Sequence, residues 1–200
     1  MESATPKARI GHARDVARAW LKKHGVTAPP TPVEALVKAE GLEIRRRPWG
    51  RDGTVSGLLL RERGLIVLNG DQPPQRQRFS LAHELGHFAL HHHLLKGQLQ
   101  SIDIDHPPDG LDAHGDKVLE READIFASEL LIPREFLLRF RERPSKAPAN
   151  DGGAPFNSPF AGLKKQLGSE DKALSPDQLA ALFDVSRAAL FVALEQHGLL

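Results

Sequence analysis

The chain has 200 residues, 40% of them hydrophobic, and a formal net charge of +1 from 27 basic and 26 acidic side chains. That length builds one compact domain, or one domain with a small appendage, and can bury a sizeable core. Near-neutrality excludes a general electrostatic hold on nucleic acid, and the absence of cysteine excludes disulfides and thiolate metal sites. The run from Met1 to Gly11 has no apolar segment of the secretory kind, and no apolar run reaches the length of a membrane span. The expected compartment is therefore the cytoplasm.

A first helix is expected over about residues 7–24, because Ile10, Ala13, Val16, Ala17, Trp20 and Leu21 recur at helical spacing and Gly25 can close it. A second begins at Thr31, read as the N-cap of a capping box with Pro32 at N1 and Glu34 at N3, and stops at Gly41. Three short strands follow at residues 42–46, 54–60 and 65–69, the last two joined by the turn Arg61-Glu62-Arg63-Gly64. They predict a small antiparallel three-stranded sheet. The basic runs Arg45-Arg46-Arg47 and Arg61-Glu62-Arg63 read as solvated strand ends rather than a phosphate track.

Pro73 and Pro74 open a third helix, and His91-His92-His93 end it. Within it stands the pentad His83-Glu84-Leu85-Gly86-His87, an HExxH motif in an apolar stretch. Residues four apart on a helix are offset by only about 40° around the axis. His83 and His87 therefore point the same way, and two neutral imidazoles so placed can hold Zn²⁺. Glu84 lies beside them as a general base for an attacking water. The plain alternative is a core helix with surface histidines, Leu81, Leu85 and Phe88 forming its apolar face. His91 could compete as a ligand, but it reads better as the polar end of the helix.

A fourth helix carries Glu120-Arg121-Glu122-Ala123-Asp124 and packs through Ala123, Ala127 and Leu130. A catalytic zinc takes three protein ligands and leaves one position open. Glu120 is the natural third ligand, with Glu122 as the alternative ligand. Asp124, one turn beyond Glu120, can accept the free ring N–H of a ligand histidine and hold its tautomer. Alone, the cluster would read as an ordinary acidic first turn; the upstream pentad changes that weighting.

Pro133 ends or kinks this helix, and residues 134–143 can continue as another. Residues 143–159 are rich in Pro, Ala, Gly, Asn and Ser and read as a loop. Beyond it, Ser175 caps a helix bearing Leu179, Leu182 and Phe183, and Val185-Ser186-Arg187 turns into a last helix. This pair looks like a helix-turn-helix, the mark of a DNA-binding regulator. Its second helix carries one arginine, Arg187, and is otherwise mostly apolar, which argues for a helical hairpin completing the core or shaping a groove. Direct nucleic-acid binding is not expected.

The run Arg78-Phe79-Ser80-Leu81-Ala82-His83-Glu84-Leu85-Gly86-His87-Phe88 resembles the ImmA/IrrE family of metallo-endopeptidases. So does Glu120-Arg121-Glu122-Ala123-Asp124-Ile125-Phe126-Ala127, continuing to Leu130-Leu131-Ile132-Pro133. Weaker likeness extends upstream through Ser56-Gly57 and Ile66-Val67-Leu68-Asn69, and downstream through residues 179–186. The resemblance implies a small cytoplasmic zinc protease of the gluzincin type. It implies a protein substrate, a DNA-binding repressor of the helix-turn-helix type or an antitoxin-like regulator, cut to relieve repression after stress or in mobile elements. Two departures stand out. The segment 96–117 between the motifs is long, a flap or an insertion, and the chain has no tyrosine to stabilise an oxyanion. His91, His92, His93, His106 and His114 are open candidates for that role, with an arginine or the metal alone as alternatives.

The resulting expectation is an α+β fold in which the antiparallel sheet packs against the HExxH and glutamate helices. Residues 1–143 form the metallopeptidase core, 144–160 a flexible loop, and 161–200 a C-terminal helical segment packed on the core. His83, His87 and Glu120 are the expected metal ligands, Glu84 the base and Asp124 the partner of a histidine. Zn²⁺ suits two nitrogens and a carboxylate well, although Mn²⁺ and Fe²⁺ share that preference in part. A DNA-binding protein, or one that holds a repressor without cutting it, is the competing reading.

Overall fold

The computed structural model describes residues 8–49, 55–91, 117–141 and 174–200. The segment 96–116, the histidines His92, His93, His106 and His114, and the loop at 144–160 lie outside the described residues. The first helix, α1 (Ile10–Lys23), buries Ala13, Ala17 and Leu21. The second, α2 (Val33–Ala39), buries Val33, Leu36 and Val37. The expected capping box at its start does not form. Pro32 is the N-cap and no side chain caps the helix. Thr31 is fully buried, and its hydroxyl donates instead to the Leu130 carbonyl at 2.7 Å. An orphaned carbonyl in the core costs more than a bare helix end in water, so the tertiary bond takes the hydroxyl.

The sheet contains β1 (Glu43–Arg47), β2 (Gly57–Leu60) and β3 (Leu65–Asn69) in the order β1-β3-β2. A short 3₁₀ turn, Arg61–Arg63, joins β2 to β3, which pair antiparallel from Gly57↔Leu68 to Leu60↔Leu65. The α+β class and the three strands are as expected, but the all-antiparallel sheet is not. β1 runs parallel to β3, with Glu43 opposite Leu65 and Arg47 opposite Asn69. Residue chemistry explains the order. Every residue of β3 is buried, so it takes the centre, whereas β1 reads Glu-Ile-Arg-Arg-Arg and is tolerable only at an edge.

The pentad lies on α3 (Pro74–Ala89), which starts with Pro74 in the first turn, where a missing N–H costs nothing. Its buried face, Leu81, Ala82, Leu85 and Gly86, packs on β2, β3 and the next helix, α4 (Lys117–Leu131). The sequence had both motif helices covering the sheet. In the structure α3 covers it, and α4 packs chiefly against α3 and α1. From Glu122 to Leu131 every side chain of α4 except Asp124 is buried, as befits a central helix.

After Pro133 the chain continues as α5 (Arg134–Arg141). The C-terminal pair is α6 (Pro176–Phe183) and α7 (Arg187–Gln196). Ser175 and Gln178 make a full capping box at α6, and the Ser186 hydroxyl accepts the Ala189 N–H at α7. Leu179, Leu182, Phe183, Leu190, Ala193 and Leu194 belong to the same hydrophobic cluster as the buried residues of α1 to α5. Among the described residues, no helix is long and apolar enough to cross a membrane.

Candidate metal centre

The site forms where α3 and α4 come closest. Gly86 is the reason they can. A Cβ built there would stand 3.2 Å from both the Cα and the carbonyl oxygen of Ala123, and 3.1 Å from Cδ1 of Phe126. A side chain there would make α4 or Phe126 give way by a few tenths of an ångström. One turn before Ala123, Glu120 is thereby carried to the histidines of α3.

Three ligand atoms converge. His83 Nε2 lies 3.1 Å from Glu120 Oε2, His87 Nε2 lies 3.0 Å from His83 Nε2, and His87 Nε2 lies 3.5 Å from Glu120 Oε2. A tetrahedral ion with bonds of about 2.0–2.1 Å sets its ligand atoms about 3.3 Å apart. Among the described residues this is the one group of three or more such side chains close enough to share a metal. The donor chemistry agrees. One proton can bridge only two of these three acceptors, whereas a cation satisfies all of them.

The surroundings orient the set. His83 Nδ1 donates to Asp124 Oδ1 at 2.9 Å, which leaves Nε2 facing the cluster. The two imidazoles are 4.7 Å apart at their centroids and inclined at 73°. Burial alone would lower the pKa of His83, but hydrogen bonds to Asp124 and Glu120 outweigh it and push the group up to about 10. Burial would raise the pKa of Glu120. Its hydrogen bonds with His83 and His87 prevail and hold it well below the usual carboxylate range. Both shifts have one cause: the carboxylates around the cluster favour positive charge at its centre.

Glu84, next in sequence to His83, points about 100° away around α3 and abuts β2. A Cβ on Gly57 would stand 3.1 Å from both Cγ and Oε1 of Glu84. The sequence carried only a weak hint of Gly57, through its resemblance around Ser56-Gly57. The structure does not bring Glu122, the alternative ligand, to the cluster. Its carboxylate faces α1, where Arg9 holds it with the backbone N–H at 2.7 Å and the guanidinium at 3.0 and 2.8 Å. That partnership spans 113 residues and left no local trace in the sequence. His91 also lies outside the ligand group. It sits at φ +55 just past α3, with Nδ1 3.3 Å from Nη2 of Arg61, and Arg61 donates to the Phe88 carbonyl at 3.1 Å. In α7, Arg187 lies 3.3 Å from Asp177 and over the Phe191 ring.

Comparison with known proteins identifies a family. The IrrE N-terminal-like domain of peptidase M78 matches residues 37–149, more than half of the chain. The radiation response metalloprotease IrrE of Deinococcus radiodurans is 31% identical over 142 residues, which cover 70% of this chain and 38% of that protein. Its counterpart in Deinococcus deserti is 28% identical over 141 residues, 68% of this chain and 46% of that protein. The chain thus matches less than half the length of either relative.

Proposed function

Because the chain belongs to the IrrE N-terminal-like family of M78 peptidases, we propose that it is a zinc-dependent endopeptidase. The observation that carries this reading is the convergence of His83, His87 and Glu120 within 3.0–3.5 Å of one another, with Glu84 alongside. His83, His87 and Glu120 would hold the ion. When bound, Zn²⁺ supplies Lewis-acid polarisation of the scissile carbonyl and acidifies the attacking water. Glu84 takes the water's proton and delivers it to the nitrogen of the departing amine. Asp124 keeps the His83 proton on Nδ1, so that Nε2 presents its lone pair. Among the described residues β2 is an outer strand of the sheet, and Gly57 brings it against Glu84. A substrate peptide added along that edge would pair through its main chain and lie beside the base.

The substrate class we propose is a cytoplasmic DNA-binding repressor of the helix-turn-helix type, cut during a stress response. Support for it is the family resemblance of both motifs, together with relatives named as radiation response metalloproteases. The purified chain is incubated with the repressor encoded nearest to it, and products are read by intact mass. Cleavage is expected with Zn²⁺, lost with chelator, and lost in Glu84→Gln, which keeps metal and fold. Undiminished cleavage by Glu84→Gln removes the base from the mechanism. Metal-dependent binding of the repressor without any cut favours the non-cleaving regulator instead.

A further inference from the structure

We propose that Arg9 and Arg18 of α1 are positioning residues for the metal centre: by pinning two buried glutamates on the back of α4, they aim Glu120 and Asp124 at the histidines. The inference rests on the reading of His83, His87 and Glu120 as ligands. Helical geometry makes the arrangement antipodal. Taking Glu120 as the origin, Asp124 lies about 40° around α4, whereas Glu122 and Glu129 lie at about 200° and 180°. Ligand side and pinned side are opposite faces of one helix.

Both pins are buried carboxylates with half-exposed arginine partners. Glu122 is 1% exposed and receives three donors from Arg9, including its backbone N–H at 2.7 Å. Glu129 is also 1% exposed and accepts from Arg18 Nε at 3.0 Å. Arg9 is the N-cap residue of α1, a helix with no side-chain cap and no acid in its first turn. Glu122 therefore closes the α1 terminus from another helix, which fixes where α1 begins relative to α4. Between the two arginines α1 fully buries Ala13 and Ala17, with Ile10 and Val16 half-buried beside them. The larger contacts of α1 lie at its far end, where Leu21 is buried and Trp20 meets the Phe126 ring of α4 at 6.1 Å. Two ion pairs, both ascending with residue number, add a directional constraint to that packing. Buried polar pairs are best attested in this role of specifying one alignment over its neighbours.

The tolerance is tight. A helix with its side chains has a radius of about 5–6 Å, so a turn of 20° carries a carboxylate oxygen sideways by about 2 Å. Metal–ligand distances tolerate about 0.2 Å. Small losses of register at the pins are therefore large losses at Glu120.

The test measures Zn²⁺ affinity of the full chain by competition with a chromophoric chelator, and coordination by the visible absorption of the Co²⁺-loaded protein, well below the melting temperature. Arg9→Ala is expected to weaken Zn²⁺ binding at least tenfold and to shift and weaken the Co²⁺ bands. Arg9→Lys keeps the charge but not the fork, and loses less in the same direction. Leu182→Ala truncates the core in α6 and is the control for stability: it lowers the melting temperature and leaves affinity and bands unchanged. Wild-type affinity and bands in Arg9→Ala overturn the inference, as does an equal affinity loss in Leu182→Ala. If Arg9→Ala does not fold, unchanged affinity and bands in Arg9→Lys overturn it in its place. Zn²⁺ binding that is indifferent to His83→Ala overturns the reading of the site instead.

Discussion

Gly86→Ala separates the two roles of the pentad's glycine, local helix former and spacer between helices. The new Cβ meets Ala123 Cα and O at 3.2 Å and Phe126 Cδ1 at 3.1 Å. Favourable carbon contacts begin at about 3.5 Å, so the shortfall is about 0.3–0.4 Å. Two of the three atoms are α4 backbone, and relief requires that α4 itself withdraw. Alanine gains about 0.5–1 kcal/mol of helix propensity over glycine. Overpacking of a filled core costs about 1–3 kcal/mol. The net is a loss centred near 1 kcal/mol, or about 2–4 °C of melting temperature for a chain of this size. The metal centre suffers more than the fold. Glu120 lies one turn from Ala123 and moves with α4, by more than the roughly 0.2 Å that a metal–ligand bond tolerates. Thermal melts of the metal-free protein and chelator competition for Zn²⁺ read the two effects separately. The expected result is a small loss of melting temperature with an affinity loss of about tenfold or more. A variant that melts higher than the parent and binds Zn²⁺ as tightly would refute the reasoning, because propensity would then have acted with no clash to oppose it.

Gly57→Ala should do the converse. Its Cβ meets Cγ and Oε1 of Glu84 at 3.1 Å and a Leu68 methyl at 3.3 Å, all side-chain atoms that can turn aside. Turnover of a peptide substrate should fall at least tenfold while Zn²⁺ affinity stays within about twofold, since an interaction worth only about 1.4 kcal/mol changes a rate tenfold; unchanged turnover would show that Glu84 has room to spare. Proton linkage offers a further check. His83 is raised to about 10 in the metal-free fold, so it carries a proton near pH 7.5 that a ligand nitrogen must give up. Zn²⁺ binding at that pH should release about one proton or more, seen as a dependence of calorimetric heat on buffer ionisation enthalpy; heats identical across buffers contradict it. The sign for stability follows. With the folded pKa above the unfolded one, the His83 contribution is complete below about 6.5 and drains away as pH rises through about 10. Alkaline titration of the metal-free protein should therefore lower its melting temperature across that window, and His83→Ala should remove this part of the slope.

What could be read from the residues in advance was local. His83 and His87 share a side of a helix because they are four apart, and Ser175 caps α6 because the capping partner Gln178 is three residues on. Apolar β3 announced itself by composition. Non-local choices were out of reach. The order of strands depended on which one could bear burial at both edges, and the expected antiparallel sheet gave way to a parallel β1–β3 pair. Thr31 met its local capping criteria and was claimed by a carbonyl 99 positions away. Glu122 had the same charge and nearly the same position as Glu120, and only the helix phase together with Arg9 sends it the other way. Gly86 was visible as a letter inside the pentad, but its reason, the backbone of Ala123, belongs to another segment.

Neighbouring letters in the pentad answer to different masters. The imidazole of His83 looks across to α4, and the carboxylate of Glu84 looks back to β2. On the proposed function, gripping a cation and cutting a chain would be under separate mutational control. One methyl group on Gly57 would then silence hydrolysis and leave the ion in place, and a peptidase would become a pseudoenzyme that seizes its target and lets it go intact.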